Sequence, residues 1–477
     1  MTDAVRNLTL LTDYYQLTMM NGYFLTGIGE QKATFDLFFR PKGQMNYAVA
    51  AGLQQAIEYV ENLHFDDEDI EYLRSQGIFN EAFLSYLKSF KFTGDIYSVR
   101  EGEIVFPMEP IMIVRAPLMQ AQLIETALLN IVNHQTLIAT KASRVVTAAG
   151  EGKVSEFGLR RAQGPDAGIY GSRASIIGGA SSTSNVLSAQ MFGATPKGTH
   201  SHSWVLSFPS ELDAFNAFAD IYPDACLLLV DTYDTLKSGM PNAIKVFNRL
   251  RAEGHEPLGI RLDSGDLAYL SKAARKMLDD AGFPKAQIFV TNDIDENLVN
   301  ALKNQGAQID QYGVGTKLIT SDGMPSLGGV YKLAEIEKDG VAYPRIKKSN
   351  SIEKITNPGF KTVYRIYEKE SGKAFADLIA LKDEVVGKPL TLTHETERWK
   401  KTVLNDYDIK ELLVKVYDGG KLVYDCPTLN ECSSYRREEL SKFWDEYKRL
   451  TNPHIYKVDL SDGLYELKQK MLIETEK

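Results

Sequence analysis

The chain has little cysteine, little histidine, no excess of positive charge and no long apolar run, and each shortage removes a class of function. The three cysteines, Cys226, Cys426 and Cys432, are an odd number in 477 residues, so no disulfide framework is indicated. Cys426 and Cys432 could suggest half of a zinc knuckle, but no further cysteine completes it. The net charge of −9 argues against a nucleic-acid partner, whose footprint is a basic excess. A small anion remains possible, because one local cluster of Arg, Lys and backbone N–H groups is enough to bind it. No run of about eighteen apolar residues occurs, and "MTDAVRNLTLLTDYYQLTMM" has no basic region leading into an apolar one. A cytoplasmic protein without a membrane partner is expected. The length predicts roughly two or three domains.

What is present is a rhythm. "KVSEFG" (153–158), "CLLLVDT" (226–232), "PLGIRLDS" (257–264), "QIFVTND" (287–293) and "QIDQYGVG" (308–315) are apolar runs that end in a polar residue or glycine. Amphipathic segments such as "PNAIKVFNRLRAEG" and "DLAYLSKAARKMLDDAG" separate the later ones, with Ser264 available as a helix cap and Gly254 and Gly282 as stops. This is a βα repeat, in a parallel barrel or a doubly wound sheet. Such folds place chemistry where strands end. The predicted ends carry Glu156 and Phe157, Asp231, Arg261 and Asp263, Asn292 and Asp293, and Gly313 and Gly315. Strand patterns before residue 135 and after 330 are expected to form one discontinuous domain. The expected boundaries are 1–135 for the N-terminal part of an α/β sandwich, 136–335 for the barrel, 336–400 for the return, and 401–477 for a C-terminal extension.

The residue types at these ends suit anions. Gly315 and Thr316, then Gly328 and Gly329, offer backbone N–H groups and a hydroxyl to phosphate. Arg160, Arg161 and Arg173 add guanidinium forks, and Phe157 offers a ring face to a planar heterocycle. Asp231, Asp234, Asp263 and Asp266 could hold Mg²⁺ with substrate phosphates, orient ribose hydroxyls or stabilise a positive transition state. His200 and His202 of "GTHSHSW" also admit a metal-dependent hydrolase. However, His64, His134, His255, His394 and His454 lie away from the predicted barrel strand ends, so a third ligand is missing.

"LTDYYQLTM", "EFGLRRAQG", "GTHSHSW", "GIRLDSGDL", "YGVGTKL" and "SLGGVYKL", in this order, resemble the ATP-dependent nicotinate phosphoribosyltransferases. The resemblance runs from about residue 8 to about 335. It implies transfer of a ribosyl group from phosphoribosyl diphosphate to nicotinate, coupled to ATP hydrolysis, in NAD synthesis. The implied fold is an incomplete α/β barrel with a discontinuous α/β sandwich domain, in a homodimer whose sites the neighbouring subunit completes. By motif, His202 matches the residue that ATP phosphorylates. Thr199, Arg261, Phe157 and the partner-reaching Tyr15 match nicotinate contacts. Arg160, Gly315, Thr316, Gly328 and Gly329 match positions around the substrate phosphates, and Asp231 and Asp263 match acids near the ribose and Mg²⁺–diphosphate. Relatives often carry Ala before the reactive histidine and sometimes an acid after it, where this chain has Ser201 and Ser203. Nicotinamide-using relatives carry an Asp near "FGATPKG", and none occurs here. The competing readings are a nicotinamide or quinolinate transferase, the metal hydrolase, and a non-catalytic pyridine- or nucleotide-binding protein.

Overall fold

The βα rhythm forms six short strands in the computed structural model, which describes residues 6–41 and 45–474. They are β1 (Val154–Glu156), β2 (Ser182–Thr183), β3 (Leu227–Leu229), β4 (Gly259–Leu262), β5 (Gln287–Val290) and β6 (Gln311–Val314). Every pairing is parallel, in the order β2-β1-β6-β5-β4-β3. Five of the six follow the apolar runs. β2 was not expected, because two hydroxyl residues within "GGASSTSN" give no apolar signal.

The connections carry helices α1 (Pro165–Ile177), α2 (His202–Leu206), α3 (Glu211–Ile221), α4 (Met240–Ala252), α5 (Leu267–Asp280) and α6 (Glu296–Asn304). In α4 the apolar stripe Ala243, Val246, Phe247 and Leu250 is buried, as its helical spacing requires. Gly254 and Gly282 follow α4 and α5 in the left-handed region. The cap of α5 differs from expectation. Asp266, not Ser264, accepts the Tyr269 N–H, while the Ser264 hydroxyl donates to Asp231.

These elements belong to a compact unit of residues 138–325 with 428–433. The second unit comprises the described residues of 1–137, 326–427 and 434–477. Its seven-stranded antiparallel sheet runs Val341–Pro344, Gly329–Lys338, Lys32–Phe39, Met112–Pro117, Asp95–Ser98, Val414–Asp418 and Lys421–Leu422. A four-stranded sheet runs Asp408–Glu411, Lys361–Tyr367, Ala374–Leu381 and Lys457–Leu460. Early and late stretches of chain therefore share a sheet, so this α/β unit is discontinuous. Residues after 401 supply strands to both sheets. Among the described residues no helix is long and apolar enough to cross a membrane.

Candidate active site

Alternation along the parallel strands decides which polar residues share a face. Leu229 pairs with Arg261, and Arg261 pairs with Phe289. Residues two positions further on, Asp231, Asp263 and Thr291, therefore continue the same face at the carboxyl ends. Glu156 sits on the opposite face of β1. It is fully buried, where Ser172 (2.8 Å), Thr183 (2.6 Å) and the Gly158 N–H all donate to its carboxylate. The strand-end position of Glu156 is thus structural, and Phe157, one residue later, turns back to the shared face. The Phe157 ring lies against β6: a Cβ on Gly313 would come within 2.6 Å of it. Glycine is required there for that close approach.

The two histidines separate cleanly. His200 is buried, and its Nε2 accepts the backbone N–H of Leu229 in β3 at 3.2 Å. That bond leaves the proton on Nδ1, 3.3 Å from the Ser201 carbonyl oxygen. The ring meets Phe218 edge-on at 4.8 Å. Burial, opposed by the Ser201 carbonyl and reinforced by Arg261 and His202, holds its pKa down at about 4. With both nitrogens occupied, His200 has no lone pair for a metal. No group of three or more His, Cys, Asp or Glu among the described residues could hold one. The metal-hydrolase reading loses its ligand pair for this reason.

His202 opens α2 and is partly exposed. Its Nδ1 lies 3.1 Å from the Thr232 hydroxyl, and its Nε2 stands 3.7 Å from Asp263 Oδ2. Asp263 in turn accepts the Thr291 hydroxyl through its other oxygen. Asp231 Oδ2 accepts the Asp263 N–H (2.8 Å) and the Ser264 hydroxyl (2.7 Å), while its buried Oδ1 has no partner among the described residues. Arg261 donates to Thr199 Oγ1 at 2.9 Å, and its buried Nε has no acceptor among the described residues. Burial lowers the Arg261 pKa, and Asp263 and Asp231 oppose that shift. Ser201 and Ser203 bond each other at 2.6 Å. Their hydroxyls are thereby engaged with one another, beside the imidazole they flank.

Arg160 is exposed on the single turn Leu159–Arg161 after β1, and Thr316 is exposed at the start of a short helix capped by Gly315. Asn292 adopts a left-handed φ of 95° just after β5, a conformation that asparagine tolerates. In the other unit, Tyr15 is half-exposed on the helix Tyr14–Thr26. Gly328 is a positive-φ turn. The Gly329 N–H donates to Asn133 Oδ1 at 3.0 Å, the same atom that a Cβ would strike at 2.1 Å. Turn geometry and close approach therefore account for this pair of glycines. Thr232 and Thr291 escaped the sequence reading, and Ser264 was expected only as a helix cap. Their signal was adjacency, since each lies within one residue of a strand-end position already singled out.

Models of the nicotinate phosphoribosyltransferase N-terminal and C-terminal domains match residues 10–133 and 360–468. The chain is 48% identical over 471 residues to the nicotinate phosphoribosyltransferase of Bacillus subtilis, covering 98% of this chain and 96% of the relative. Against that of Dictyostelium discoideum the identity is 36% over 526 residues, covering 98% and 88%. The crystal structure of human nicotinic acid phosphoribosyltransferase is similar with a TM-score of 0.86 at 30% identity, over 96% of this chain and 99% of that one. Fold and site define an α/β enzyme whose polar groups gather at parallel strand ends. The chain belongs to the nicotinate phosphoribosyltransferase family.

Proposed function

We propose that this chain forms nicotinate mononucleotide and diphosphate from nicotinate and phosphoribosyl diphosphate, coupled to ATP hydrolysis through phosphorylation of His202. The observation that carries this reading is the strand-end cluster itself. A partly exposed imidazole sits between a hydroxyl and a carboxylate, beside an arginine and an aspartate with unused buried atoms.

Departure of diphosphate leaves positive charge on the ribose ring, and Asp231 and Asp263 are the carboxylates assigned to stabilise it. The pyridine nitrogen is already a nucleophile, so positioning matters more than a strong base. Phe157 offers a ring face, and Thr199 with Arg261 offers a hydroxyl and a guanidinium to the nicotinate carboxylate. Tyr15 from a partner subunit would cover the opposite ring face in a cytoplasmic homodimer. Arg160, Gly315 and Thr316 are assigned to the phosphates by motif; the motif also names Gly328 and Gly329, and the Gly329 N–H is already given to Asn133. His202 takes the γ-phosphoryl group of ATP on a ring nitrogen as the bond to ADP breaks. Water then attacks that phosphorus, giving phosphate and restoring the imidazole.

Mg²⁺ fits this donor set as a companion of the diphosphate, because it is held by one or two carboxylates plus substrate phosphates and water. The free Asp231 Oδ1 is the oxygen available to it, directly or through water. When bound, Mg²⁺ supplies charge neutralisation on the leaving group. The test is incubation with phosphoribosyl diphosphate and ATP plus each pyridine in turn. Turnover of nicotinate well above nicotinamide and quinolinate is expected, and the reverse order would replace the substrate. Tight pyridine binding without product would favour the non-catalytic reading.

A further inference from the structure

Lys197, a cation over the same sheet face as Arg261, has no anionic partner among the described residues. Lys197 lies just before the "GTHSHSW" segment, anchored through its backbone N–H to the Thr183 carbonyl of β2 (2.9 Å). Its ammonium stands over the buried Phe289 ring of β5, 4.6 Å from the centroid. Among the described residues its Nζ makes no hydrogen bond and no ion pair. Phe289 is the register partner of Arg261, so Lys197 and Arg261 stand over the same sheet face. Arg261 is likewise undersupplied, with its Nε buried and unpaired. A partly buried ammonium without a counter-charge is unfavourable unless an anion joins it. Burial already lowers the Lys197 pKa, as expected of an ammonium short of such a counter-charge.

The level along the strands indicates which anion. Arg261 and Phe289 each lie two residues before Asp263 and Thr291, about 6–7 Å deeper at the strand rise. The acids thus lie nearer the rim, and Arg261 and the ring beneath Lys197 lie deeper. We propose that Lys197 is a specificity-determining residue that, with Arg261 and Thr199, holds the carboxylate of the acceptor pyridine at the floor of the site. This assignment rests on the proposed pyridine transfer and adds a residue and an orientation to it: carboxylate down, ring nitrogen toward the ribose at the rim.

Lys197→Met and Lys197→Gln remove the charge, and either suffices if the other fails to fold. The KM for nicotinate should rise about 10–100-fold, the range expected for losing a bond to a charged group. The KM for phosphoribosyl diphosphate should hold, and the preference for nicotinate over uncharged nicotinamide should shrink by a similar factor. Lys197→Arg should recover part of the preference. A rise in the phosphoribosyl diphosphate KM instead would assign Lys197 to phosphate and overturn the proposal. Unchanged values for both substrates with a lowered Tm would make the lysine structural and also overturn it. If the wild-type chain transfers nothing to nicotinate, the function reading fails separately. Equilibrium binding then decides: nicotinate bound equally by wild type and Lys197→Met contradicts the carboxylate assignment.

Discussion

Arg365 and Arg261 both project from strands beside carboxylates, and their surroundings differ in kind. Arg365, on the strand Lys361–Tyr367, is fully buried. It gives Asp377 bonds of 2.9 and 2.6 Å, Glu103 one of 2.6 Å and the Ile104 carbonyl another of 2.6 Å. Lys410 and the Tyr435 hydroxyl complete Glu103, and the Tyr456 hydroxyl reaches Asp377 at 3.0 Å. Arg261 makes a single hydrogen bond among the described residues, to a hydroxyl, and leaves a buried nitrogen unused. The residue types are the same. A saturated cluster holds the fold, whereas groups left unsatisfied at strand ends are available to a ligand.

Substituting the two arginines would break this contrast if it is wrong. Arg365→Met leaves Asp377 buried without its cation and Glu103 with Lys410 as its remaining one, and should lower unfolding free energy by about 3–5 kcal/mol in denaturant titration. The folded fraction should keep its activity. Arg261→Met should leave the unfolding midpoint nearly unchanged and reduce kcat/KM for nicotinate by about 10²-fold or more.

His200 sharpens the comparison through pH. The unfolded chain protonates this group near 6.5, and the folded chain holds it neutral down to about 4. Stability therefore rises with pH across that window, and acidification removes on the order of 3 kcal/mol. His200→Gln keeps an acceptor for the Leu229 N–H without titrating, so its Tm should fall less steeply between pH 7 and 4. An identical slope would contradict a buried neutral imidazole. The smallest effect is expected at Thr232→Val. It removes the hydroxyl from His202 Nδ1 and should slow ATP-coupled turnover several-fold, in line with about 1 kcal/mol for one hydrogen bond, without moving Tm.

Much of the parallel sheet was legible because its strands are apolar runs that stop at polar residues. The same periodicity placed Asp231, Arg261 and Asp263 together, as the structure does. Three features were not legible. β2 has no apolar residue to announce it. Glu156 differs from Phe157 by one position in a strand, which reverses the face and makes it a buried acceptor. The roles of His200 and His202 depend on the Leu229 N–H and the Thr232 hydroxyl, about thirty residues away in sequence. Residues 360–468 read as strands followed by a charged helical stretch, without a motif, yet a family domain matches them. Their charges are spent on one another, as at Arg365, and a saturated cluster has no characteristic spacing.

The most direct measurement is incubation with γ-labelled ATP, followed by assay of acid-labile protein-bound phosphate. The label should appear on the wild-type chain, persist in His200→Gln and vanish in His202→Ala. No label on the wild-type chain, or a label lost in His200→Gln and retained in His202→Ala, would contradict the account.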